Sequence, residues 1–83
     1  MQQTTDQTII DPAVAADLIN TAPSYDEFVI TTDRDREIVL MARDFPREGR
    51  RCTCITTGTE WFNITADSLM TIGFVSMRER VRS

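Results

Sequence analysis

The sequence predicts an α+β domain built mainly of antiparallel β-structure. Three observations carry that class. β-Branched and aromatic residues gather in short runs between positions 27 and 65, polar turn residues separate the runs, and a single capped helix signal precedes them. Eighty-three residues with 41% hydrophobic and 27% charged content make one domain with one core. A chain of that size buries roughly 60–65% of its unfolded surface, which leaves little room for a large enclosed cofactor.

Residues 1–10 are polar, carry no periodicity and are expected to form a flexible tail, with residues 11–83 as the single domain. Asp11-Pro12 starts a short helix over about 12–21, the aspartate capping free N–H groups and the proline filling the first turn. Val14 with Leu18 and Ala15 with Ile19 then share a face, and Pro23 ends the element. A four-stranded meander follows over about 27–32, 37–44, 51–57 and 60–65. Asp33-Arg34-Asp35-Arg36 forms the first hairpin tip, Phe45 to Gly49 the second turn and Gly58-Thr59 the third. The second strand is apolar on both faces and is expected to be covered on both.

Two readings compete beyond Thr65. A continuous C-terminal helix would align Met70, Phe74, Met77 and Val81, whereas a short helix followed by a fifth strand would let the sheet curl into a small barrel. Gly73 inside a helix, followed by Phe-Val-Ser, favours the strand.

The charge is unevenly placed within a net of −4. Residues 1–37 hold eight acidic groups against Arg34 and Arg36, a net of −6, and residues 38–83 hold seven arginines against five acids, a net of +2. All nine basic residues are arginine. Without histidine as a proton shuttle or lysine for Schiff-base chemistry, an enzyme is not expected, and no catalytic residue is assigned. The carboxylates of Asp33 and Asp35 read as part of a solvated hairpin tip. Cys52 and Cys54 would point to one face of a strand, but two thiols without histidine fall short of a zinc site, so they read as core, with no metal and no cofactor. Absence of an apolar span or leader, together with two unpaired thiols, points to the cytoplasm and away from membranes.

What remains is binding. Arginine and aromatic residues anchor interfaces, and Arg43, Arg47, Arg50, Arg51 and Trp61 lie near one another in sequence. Arg78, Arg80 and Arg82 would share one strand face about 6.6–7 Å apart. The preferred expectation is a non-enzymatic protein-binding regulatory or adaptor module of viral or prokaryotic type, such as a phage- or plasmid-encoded inhibitor, with homodimerisation through a free sheet edge open to it. The second is a nucleic-acid-binding small barrel using the arginine face, against which the acidic net charge weighs. The third is a subunit of a larger assembly such as a virion.

Overall fold

A computed structural model describes residues 8–80, so the polar segment 1–7 and Arg82 lie outside it. It bears out the α+β, mainly antiparallel class: two helices and a four-stranded antiparallel sheet of order β3-β2-β1-β4.

Helix α1 spans Pro12–Thr21, and Asp11 Oδ1 accepts the Ala13 N–H at 2.9 Å with Pro12 in the first turn. Its buried stripe is Ala15, Ala16 and Ile19, whereas Val14, expected on the same face, stays exposed. Strands β1 (Glu27–Thr32) and β2 (Glu37–Phe45) form the first hairpin in a register that sets Ile30 opposite Ile38 and Phe28 opposite Leu40. Strand β3 (Gly49–Cys54) stops three residues short of its expected end. The reason is local: the N–H groups of Thr57 and Gly58 turn back to the Cys54 carbonyl, so Thr56 and Thr57 belong to a turn.

The expected strand over 60–65 is not one. Phe62 alone bridges Cys52, exchanging two backbone hydrogen bonds of 2.7 and 2.8 Å. The chain then leaves the sheet plane, because Ile64 is buried over the core and Thr65 serves as N-cap of α2 (Ala66–Thr71) in a reciprocal capping box with Ser68. Helix α2 closes at Gly73, whose φ of +81° suits glycine, and β4 (Phe74–Arg80) follows. The short helix plus strand is therefore the C-terminal arrangement. No barrel results, since β4 pairs with β1, on the opposite side of the sheet from β3.

Alternation sorts the strands into two faces. Phe28, Ile30, Leu40, Ala42, Cys52 and Met77 point to one side and join Ala15, Ala16, Ile19, Ile64 and Leu69 in a single core. Glu27, Val29, Val39, Met41, Arg43, Thr53, Arg78 and Arg80 point to the other. Both helices contribute to the core, so the expectation that β2 is covered on both sides is corrected: among the described residues no helix roofs the second face. Val29 is nonetheless buried there, shielded by the long side chains around it. Among the described residues each outer edge of the sheet carries one bridge, Phe62 on β3 and Ile9 on β4, so Ile9 is docked although it falls within the expected tail.

Phe28→Ala should cost about 3–5 kcal/mol in chemical denaturation, while Val75→Ala at a half-exposed position should stay within about 0.5 kcal/mol. Gly73→Ala should also destabilise, because its Cβ would lie 2.7 Å from Asp33 Oδ1 at a backbone angle that alanine resists.

Candidate partner-binding surface

Three of the predicted residues, Arg43, Arg51 and Trp61, come together at one end of the uncovered face. Arg43 and Phe45 lie two apart on β2 and so share that face. The Arg43 guanidinium sits 5.1 Å from the Phe45 ring centroid and 5.7 Å from that of Tyr25. Phe45 meets Trp61 edge to face, with centroids 5.2 Å apart and planes at 70°. Arg51 fixes Trp61 from below, donating from Nη2 to the Trp61 carbonyl and from Nη1 to Glu48 Oε1, each at 2.5 Å. Arg47 is exposed in the adjoining turn.

Tyr25, which the sequence offers only as one of several aromatics able to stack on a nucleic acid, is a central member of the surface, and its backbone explains why it matters. It holds φ at +76°, a region that bulky L-residues avoid. The conformation is locked by the sheet: the Tyr25 N–H donates to the Ala42 carbonyl and the Ala42 N–H donates to the Asp26 carbonyl. The Asp44 N–H also donates to Ser24 Oγ. A left-handed residue of this type costs about 1–2 kcal/mol, and here it presents a half-exposed ring. Only Pro23 hinted at a turn, and glycine or asparagine would be the ordinary occupant.

Arg50 lies apart from the cluster. It alternates with Arg51 onto the core side, where its side chain is only 10% exposed. Its Nη2 donates to the Ala22 carbonyl at the end of α1, and its Nε lies 3.0 Å from Asp44 Oδ1 in an ionic contact that is not a well-aligned hydrogen bond. Arg50 thus ties α1 to the sheet. Arg78 and Arg80 do share the uncovered face, but each meets a glutamate, Arg78 with Glu37 at 3.7 Å and Arg80 with Glu27 at 3.5 Å.

The two cysteines share the core face yet differ in chemistry. Burial pushes the Cys52 thiol up from its ordinary 9.0 to about 11, only partly offset by the Arg50 charge. The Cys54 thiol is lowered, chiefly by its hydrogen bond with the Thr56 hydroxyl, the Sγ to Oγ1 distance being 3.0 Å. Cys54 also lines an apolar groove of about 440 Å³ with Ile38, Leu40, Phe62, Ile64 and Ile72. Among the described residues no group of three or more His, Cys, Asp or Glu is placed to hold a metal ion, and no helix is long and apolar enough to cross a membrane. At the hairpin tip the Asp33 carboxylate presses against Gly73.

No protein-family model, no curated protein and no solved structure matches this chain.

Arg50→Ala should lower stability by about 1–3 kcal/mol, the range for losing buried polar contacts. A folded Arg50→Ala protein of unchanged stability would remove its structural role. With a thiol reagent, Cys54 should label quickly and Cys52 only as the chain opens. Because the folded Cys52 value is raised, its contribution to stability is complete below pH 9.0 and is lost as pH climbs towards about 11. Denaturation midpoints across that window should fall less steeply in Cys52→Ala than in the parent.

Proposed function

We propose that this chain is a small non-enzymatic protein-binding module, regulatory or adaptor in role, whose partner seats on the Tyr25, Arg43, Phe45 and Trp61 surface. One observation carries the reading: a tyrosine held in a strained left-handed conformation with its ring half exposed over an arginine. Folding alone favours asparagine or glycine at that position, so the strain is accounted for by what the ring does outside the fold. Tyrosine, tryptophan and arginine are also the residue types that dominate interface energetics, and here they are pre-positioned by neighbours rather than mobile.

The location of the surface departs from simple edge pairing. Both sheet edges already carry a bridge, at Ile9 with Met77 and at Phe62 with Cys52, which favours the face over the edge as the site of contact, for a partner or for a second copy of the chain. A cytoplasmic setting belongs to the same proposal and is supported by two cysteines left as thiols. A viral or prokaryotic inhibitor remains the type of regulator that fits this size best. The absence of histidine and lysine from the sequence supports a non-catalytic role.

A nucleic-acid surface is the second reading, favoured by Arg78 and Arg80 standing together on the uncovered face. Their pairing with Glu37 and Glu27 weakens it, since a phosphate would have to displace both carboxylates.

Affinity capture from the native host with nuclease treatment tests the reading. Partners should survive nuclease and be weakened by Trp61→Ala by about 30-fold or more, as for an anchor worth about 2 kcal/mol. Tyr25→Asn should leave stability unchanged or raise it by up to about 1 kcal/mol while weakening capture. Loss of folding in Tyr25→Asn, or loss of every partner on nuclease treatment, would refute the assignment.

A further inference from the structure

Arg43 and Arg51 face each other across β2 and β3. They are direct partners in the strand register and both project from the uncovered face. Side chains so placed start from Cβ atoms about 4.5–5.5 Å apart, and like charges there repel. Their surroundings differ in a way that is informative. Arg43 is exposed, sits over the Tyr25 and Phe45 rings, and has no carboxylate within ion-pair distance among the described residues. Cation–π contacts of this kind take up none of the guanidinium's N–H groups in a conventional hydrogen bond, so its capacity to donate is retained.

Arg51 is held by Glu48 and by the Trp61 carbonyl, yet its Nε is buried with no acceptor. Two residues further along the same face, Thr53 is 2% exposed and its Oγ1 is likewise buried without a partner. Three groups that can donate are therefore collected at one end of the face, and two of them carry positive charge. Arg51 Nε and Thr53 Oγ1 are closed to an incoming ligand, but an anion meeting the exposed outer ends of the two guanidinium groups would remove the repulsion between the arginines. Glu48 already supplies one such oxygen to Arg51, but its side chain is 58% exposed, and an ion pair of that kind is weak enough to be exchanged. Arg47 in the neighbouring turn adds positive potential within a Debye length.

We propose that Arg43 and Arg51 form a two-pronged clamp for an oxyanion carried by the protein partner, either a side-chain carboxylate of an acidic segment or a phosphorylated side chain. The clamp rests on the protein-binding reading of this surface and names the chemistry it recognises. The aromatic rings hold Arg43 in place, so little side-chain freedom is lost when its fork closes on the anion. Arg51 swings from Glu48 to the incoming group.

Titration of the isotope-labelled full chain with a short polyglutamate peptide, and separately with a phosphoserine peptide of equal length, tests this by following the arginine Nε–Hε resonances. At least one peptide should shift Arg43 and Arg51 saturably, and the stronger of the two identifies the source of the oxyanion. Arg43→Gln should weaken that binding by about tenfold or more, and Glu48→Gln should strengthen it several-fold by freeing Arg51. Arg78→Gln should leave it unchanged. Equal shifts at Arg78 and Arg80, the same shifts with sodium chloride of matched ionic strength, or no saturable shift at all would overturn the clamp. Partner capture separates the two levels: loss in Tyr25→Asn but not in Arg43→Gln sinks the clamp and keeps the surface, whereas capture unaffected by either variant removes both.

Discussion

The structure depends on β1 being paired along both sides. Met77 of β4 lies opposite Ile30, which on its other side lies opposite Ile38 of β2, so the strand after α2 must travel back across the whole sheet. That return path places α1 and the 62–72 segment over the same face, where Phe28, Ile30, Leu40 and Met77 are sealed with Ile19, Ile64 and Leu69. A chain of this length has apolar material for one such layer. The opposite face is consequently finished with side chains that are apolar along the stem and polar at the tip, as Arg43, Arg78 and Arg80 are.

The uncovered face is not uniform. Its β4 side is electrostatically self-satisfied through Glu27 and Glu37, whereas its Tyr25 end concentrates aromatic area, an unpaired guanidinium and unmet polar atoms. The left-handed backbone of Tyr25 and the unmet polar atoms both lower the stability of the isolated domain. Their coincidence in one place, on a frame otherwise well capped and well sealed, is the pattern expected where stability has been given up for recognition.

Much of this architecture was legible in the residues. Asp11-Pro12 marked α1, the polar tip at 33–36 marked the hairpin, and Gly73 divided α2 from β4 because a left-handed stop cannot sit within a helix. The errors have physical causes too. Trp61, Phe62 and Ile64 look like a strand by composition, but one bridge at Cys52 and the pull of Ile64 into the core take the segment out of the plane. Arg50 and Arg51 look equivalent in sequence and are divided by strand alternation, one anchoring α1 and the other supporting Trp61. Tyr25 could be read from sequence only as an aromatic able to stack on a ligand, and its left-handed conformation could not, since hydrogen bonds to Ala42, far along the chain, impose it.

The bridges at Ile9 and Phe62 have a consequence for the chain in a crowded solution. An open four-stranded sheet offers two rows of unsatisfied amide and carbonyl groups, which is the template on which fibrils grow. Among the described residues, a single bonded residue in the middle of each row breaks the stretch on which another extended chain could zip in register. Removing either bridge would lengthen the row of unsatisfied groups that its edge presents to other extended chains.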